Sequence, residues 1–128
     1  MAVAVHGAIE RTTVHPGDVV LISGPGCIGL LTLQVAKLQS GRVIVAGLDR
    51  DTRRLDCARE LGADVVVNVE REDLRAIVDE HTGGWGVDIA YESAGKPESL
   101  AACLEAVRKE GALVPFGVQP GPIQVDWN

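Results

Sequence analysis

The chain has 128 residues, enough for one domain with a sizeable core. At 46% hydrophobic and 23% charged residues, its composition is that of a globular protein and not of a disordered one. A net charge of −6 argues against nucleic acid or an anionic membrane as a main partner.

The start, Met1-Ala2-Val3-Ala4-Val5-His6, lacks the basic region of a signal peptide, and no apolar run reaches the roughly 20 residues of a membrane-spanning helix. Ala2 to Arg11 has the apolar spacing of a short helix, with Ala2, Val5 and Ile9 on one face. His15-Pro16-Gly17-Asp18 is a turn. It leads into a first strand, Asp18-Val19-Val20-Leu21-Ile22-Ser23, and then the glycine-rich run Gly24-Pro25-Gly26-Cys27-Ile28-Gly29. Ile28, Leu31, Val35 and Leu38 recur at helical spacing until Ser40-Gly41. Val43 to Ala46 is a buried-type strand; Asp51 is placed to cap a helix with Leu55, Ala58 and Leu61 inward, ended by Gly62.

Val65-Val66-Val67 is a third strand, and Leu74, Ile77 and Val78 mark a third crossover helix. After the loop His81-Thr82-Gly83-Gly84-Trp85-Gly86 comes a fourth strand, Val87 to Tyr91. Pro97 opens the next helix, with Leu100, Leu104 and Val107 inward and Gly111 at its end. Ala112 to Phe116 is a fifth strand, followed by a Gly/Pro-rich remainder containing Ile123-Gln124-Val125. Alternating strands and helices predict an α/β fold, a doubly wound parallel sheet. Right-handed crossovers give the strand order 3-2-1-4-5. With aromatics at 3%, the core must be built from Val, Ile, Leu and Ala, as parallel strands buried on both faces require.

The glycine run follows an apolar strand, opens a helix and precedes an acidic residue about 20 positions on, the pattern of a dinucleotide site. Gly24 allows the tight turn, Gly26 lets the backbone approach a pyrophosphate, and Gly29 lets helix and strand pack closely. The free amides of Cys27, Ile28 and their neighbours, with the helix dipole, suit an anion; Pro25 has no amide to give. Cys27, Cys57 and Cys103 form neither a disulfide framework nor a zinc motif, which fits a cytoplasmic setting. His6, His15 and His81 have no Cys or His partner at metal spacing, so no metal site is expected, and Asp88 is read as a strand-start polar residue and Glu92 as a strand-end loop contact.

Further segments carry a resemblance. They are Pro16-Gly17-Asp18, Gly24 to Gly29, Arg54-Leu55, Ala58-Arg59-Glu60-Leu61-Gly62-Ala63-Asp64, Gly83-Gly84-Trp85-Gly86-Val87-Asp88, Glu92-Ser93-Ala94-Gly95 and Phe116-Gly117-Val118. In order and spacing the chain resembles the cofactor-binding (Rossmann) domain of the medium-chain, zinc-dependent alcohol dehydrogenases, especially the sorbitol (L-iditol) and threonine dehydrogenase branch. The resemblance implies an NAD- or NADP-linked oxidation of a secondary alcohol or polyol. Zinc is then carried by a separate catalytic domain of the parent enzyme and not by this chain. It further implies that residues 1–128 are one excised dinucleotide-binding domain, inactive alone, with a sixth strand truncated. The small alcohol substrate is met through the missing domain, and the parent enzyme is a homo-oligomer.

By resemblance, Ser93, Ala94 and Gly95 line the adenosine and nicotinamide-ribose side, main-chain groups of Phe116, Gly117 and Val118 hold the nicotinamide, and Arg54 lies against the adenine. The choice between NAD and NADP stays open. Aligned by the strand, Gly47 takes the ribose position, with room for a 2′-phosphate and Arg50 as its partner. Aligned by Arg54-Leu55, Asp49 takes it, which favours NAD; Leu48 lies between the two. Competing readings are a zinc-free, NADPH-linked quinone or enoyl reductase of the same superfamily, an S-adenosylmethionine-dependent methyltransferase, and a non-catalytic dinucleotide sensor.

Overall fold

The computed structural model describes residues 14–39 and 41–116. The expected N-terminal helix, Gly117, Val118 and the stretch around Ile123-Gln124-Val125 lie outside the described residues, as does the position of any sixth strand.

The elements follow the expected alternation: β1 (Val19–Ser23), α1 (Cys27–Leu38), β2 (Arg42–Gly47), a 3₁₀ turn (Asp49–Asp51), α2 (Thr52–Glu60), β3 (Val65–Asn68), α3 (Leu74–Thr82), β4 (Val87–Glu92), α4 (Pro97–Ala106) and β5 (Val107–Pro115). The five strands form one parallel sheet in the order β3-β2-β1-β4-β5. β1 is central, with Val20 opposite Val43 on one side and Ile89 on the other, and all of its residues are buried.

Successive strand residues point to opposite faces. Val20, Ile22, Val43, Val45, Ile89 and Tyr91 pack on one face against Leu33, Val35 and Ala36 of α1 and Leu55 and Ala58 of α2. Val19, Leu21, Ile44, Ala46, Val67 and Ala90 pack on the other against Val78 of α3 and Cys103 and Ala106 of α4. Burial on both faces is why the strands read as unbroken apolar runs.

Three boundaries or faces differ from expectation. The inward face of α1 is Gly29, Thr32, Leu33, Val35 and Ala36, while Leu38 is 85% exposed and Ile28 stands at the surface. The small residues lie inward because the helix packs close to β1 and β2. Leu61, beyond α2, is likewise at the surface.

The fourth helix stops at Ala106 and not at Gly111, and β5 begins at Val107. Val107 pairs with Val87, but Ile89 pairs with Ala112, so Asp88 alone stands opposite Arg108-Lys109-Glu110-Gly111. Asp88 holds this irregularity: one carboxylate oxygen accepts from Arg108 Nε at 2.8 Å, the other from the Val19 amide at 2.8 Å. Among the described residues β5 is an edge strand. Pro115 sits near its end, opposite Glu92, where a missing amide is tolerated.

Candidate functional site

The carboxyl ends of β1, β2 and β4 meet where the chain reverses its direction of sheet growth, the usual ligand position in such folds. Gly24 leaves β1 at φ +105°, a conformation that favours glycine. A Cβ on Gly24 would fall 2.7 Å from the amide nitrogen of Ala94. A Cβ on Gly29 would strike the carbonyl oxygen of Gly24 and stand 2.9 Å from Ser93 Oγ. A Cβ on Gly26 would meet nothing within 4 Å. Gly26 precedes α1 with no side-chain cap, and the first turn of α1 carries no acid. The first helical bond runs from Leu30 N to Gly26 O at 2.9 Å, so the earlier amides point out of the helix start. Cys27 and Ile28 are exposed there. By contrast α3 is capped by Asp73, whose carboxylate accepts from Ala76 N. An uncapped, acid-free helix start at a glycine turn has the electrostatics of an anion site.

The turn is fastened to the loop after β4. Ser93 Oγ donates to Gly24 O at 2.8 Å and lies 3.1 Å from Ser23 O, and the Ser93 amide donates to Ser23 O at 2.9 Å. Beneath it Glu92 is fully buried, accepting from the amides of Ala94 and Gly95 at 2.8 and 2.9 Å. Ser93 thus braces the glycine turn instead of facing the ligand space, whereas Ala94 lines that space. Phe116 stacks on Tyr91 at 5.8 Å, and its amide donates to Glu92 O at 2.7 Å.

A cleft of about 630 Å³ opens beside Gly24 and runs from the ends of β1 and β2 between the starts of α3 and α4. Ser23, Gly47, Leu48 and Arg50 line it on one side, Ala94, Lys96 and Ser99 on the other. Ser23 Oγ and Ser99 Oγ are 2.6 Å apart. Cys103, under this wall, is inert: burial, then the charge of Glu92, push its thiol up to about 12, against a smaller opposing effect of Ser23.

Asp49 is not on the cleft wall. Its Oδ1 accepts from Arg71 Nε at 2.7 Å and from Asn68 Nδ2 at 2.6 Å, toward β3. The bonds from Arg71, then Asn68, hold its carboxyl below the ordinary range, and the same pairing raises Arg71. Arg54 is 64% exposed, paired with Asp51 Oδ1 at 3.5 Å. Asp51 was legible only as a helix cap, yet it is buried and lines the cleft. Its Oδ2 accepts the Leu48 amide at 2.9 Å. Lys96 and Ser99 on the cleft wall were also missed, since nothing local marks which residues of the α4 start face the cleft.

The sequence model described as zinc-binding dehydrogenase matches residues 27–128. The chain belongs to the zinc-binding dehydrogenase family. It is 39% identical to the D-arabitol-phosphate dehydrogenase of Enterococcus avium over 92% of this chain and 34% of that protein. It is 38% identical to the sorbitol dehydrogenase of Halalkalibacterium halodurans over 96% of this chain and 36% of that protein. A crystal structure of an oxidoreductase/dehydrogenase of unknown specificity from Escherichia coli superposes with a TM-score of 0.90 at 34% identity, covering 98% of this chain and 36% of that one. The chain therefore spans about a third of the length of the curated relatives it matches.

The implied zinc does not fit the described residues, among which no three His, Cys, Asp or Glu side chains are arranged to hold a metal ion. A dinucleotide fits: the open Gly26, the uncapped α1 and the adjoining cleft supply an anion cradle and a place for a base. No helix among the described residues is long and apolar enough to cross a membrane.

Proposed function

We propose that this chain is the NAD- or NADP-binding domain of a dehydrogenase that moves hydride between a secondary alcohol or polyol and the nicotinamide. The observation that carries the reading is the glycine turn at the sheet's switch point, with Gly26 open, α1 uncapped and a cleft alongside. In this reading the amides of Gly26, Cys27, Ile28 and Gly29 receive the pyrophosphate. Gly24 and Ala94 set the wall between phosphate and adenosine. Leu48, Arg50 and the Ala94-Gly95 backbone flank the adenosine. Phe116, with Gly117 and Val118 beyond the described residues, serves the nicotinamide side through the main chain.

The bound nicotinamide supplies the hydride acceptor. The chain's own part is to bind and orient it, through backbone amides that need no proton transfer. Zinc enters no step assigned to these residues, and alcohol recognition is proposed to need sequence beyond those described.

Calorimetric titration of the chain with NAD+, NADP+ and S-adenosylmethionine in parallel tests the reading. Saturable binding of either nicotinamide dinucleotide is expected, weakened roughly tenfold or more by Gly26→Val, which puts a branched side chain where the pyrophosphate must approach. Binding of S-adenosylmethionine alone would replace this assignment with a methyltransferase.

A further inference from the structure

Neither residue singled out by sequence is placed to read the adenosine ribose. Gly47 ends β2, where such folds carry the ribose-binding acid. Its side-chain space is already filled: an added Cβ would lie 3.0 Å from Cγ and 3.1 Å from Cδ of Pro25, and 3.2 Å from Cβ of Asp51. Glycine stands there to admit these two neighbours, not to leave room for a 2′-phosphate. Asp49 is turned away to Asn68 and Arg71.

The 3₁₀ turn Asp49–Asp51 instead folds back and brings Asp51 into the side-chain space beside Gly47. Asp51 is 8% exposed and lies on the cleft wall. Its Oδ2 accepts the Leu48 amide, and its Oδ1 has a 3.5 Å contact with Arg54, a side chain 64% exposed. A carboxylate offers about four lone-pair sites, so these contacts leave acceptor capacity for a hydroxyl.

We propose that Asp51, carried to the end of β2 by the 3₁₀ turn, reads the 2′-hydroxyl of the adenosine ribose and selects NAD over NADP. The proposal rests on the dinucleotide reading above. The carboxylate accepts a charge-assisted hydrogen bond from a ribose hydroxyl and repels a 2′-phosphate in the same place. Cations oppose that selection: Arg50, Arg75 and Lys96 on the cleft wall and Arg54 against Asp51. Arg54 is already matched by the carboxylate it touches. The cap on Leu48 and the ribose contact use different lone pairs, so one residue serves both.

The test measures NAD+ and NADP+ affinities by calorimetry for the wild-type chain, Asp51→Asn, Asp51→Ser and Asp49→Asn, with circular dichroism to verify folding. Asn and Ser each keep an oxygen for the Leu48 amide, so at least one variant should remain folded. Wild type is expected to bind NAD+ more tightly. Asp51→Asn and Asp51→Ser should lower the NAD+ to NADP+ affinity ratio by roughly tenfold, the worth of one charge-assisted bond. Asp49→Asn should leave the ratio within about twofold. A residue that only capped the turn would alter both affinities together and leave their ratio alone. A wild-type preference for NADP+, a ratio unmoved by both Asp51 variants, or an equal shift in Asp49→Asn would overturn the proposal while leaving dinucleotide binding intact. Failure of the wild type to bind either cofactor would overturn the functional reading and this inference with it.

Discussion

At Gly24, Gly26 and Gly29 the absence of a side chain has three different consequences. Gly24 combines a left-handed backbone with an approach by Ala94, and Gly29 touches the Gly24 carbonyl and Ser93. Gly26 has extended backbone and empty space around it. Function and stability therefore separate by position. Gly26→Ala should leave the urea midpoint nearly unchanged while weakening dinucleotide binding, because nothing in the fold meets its methyl group. Gly29→Ala should cost about 1–3 kcal/mol, the usual penalty for overpacking a tight contact, before any ligand is added. Urea denaturation and calorimetry on the two variants distinguish them, and equal destabilisation by both would refute the separation. The spacing of the glycines is legible in the sequence. Which one tolerates a side chain is not, because that depends on how the turn folds back on itself at the Gly24 carbonyl and on Ser93 and Ala94 from a distant strand end.

The elements themselves were largely legible, since burial on both faces makes β1, β2 and β4 continuous apolar runs and each helix carries an apolar face. The exceptions have a common cause: long-range packing overrode a local signal. Leu38 has the right spacing for an inward face but lies at the exposed end of α1. Gly111 looked like a helix stop, yet the helix ends at Ala106, where Val107 pairs with Val87 and Asp88 takes Arg108. Within that irregular stretch Glu110 adopts φ 63°, a left-handed conformation that costs a non-glycine residue roughly 1–2 kcal/mol. Glu110 is also exposed. Replacing it with glycine relieves the strain and gives back about 0.4–1 kcal/mol in added freedom of the unfolded chain. Glu110→Gly is thus expected to raise stability by about 0.5 kcal/mol, against the usual effect of introducing glycine into a strand. A lower urea midpoint for the variant would show that Glu110 makes a compensating contact.

Across the whole molecule, the excess of acid has a structural use that composition alone did not reveal. Carboxylates at the ends of strands accept backbone amides that the sheet leaves over: Asp88 from Val19, Asp64 from Val43, Glu72 from Asn68 and Glu70 from Asp49. Asp64 also takes Lys37 Nζ at 2.9 Å, which ties the end of α1 to the start of β2. Burial alone would raise the carboxyl of Asp64, but the Val43 amide and Lys37 outweigh it and hold the group below its ordinary value. Asp49 is held low in the same direction by Arg71 and Asn68. A carboxyl whose folded pKa is depressed stabilises the fold above its unfolded value, near 4, and that contribution is lost as pH falls through the folded value. Stability should therefore be level from about pH 7 to roughly pH 5 and decline below it. Asp64→Ala should remove about 1–2 kcal/mol at neutral pH by leaving the Val43 amide without its acceptor, and it should flatten the acid decline. Added salt should weaken the exposed Asp49 pairing more than the half-shielded Asp64 one. Urea midpoints measured against pH for both chains decide the matter. If the variant declines with the same slope as the wild type, Asp64 is not a source of the acid sensitivity, and the remaining strand-end carboxylates must carry it.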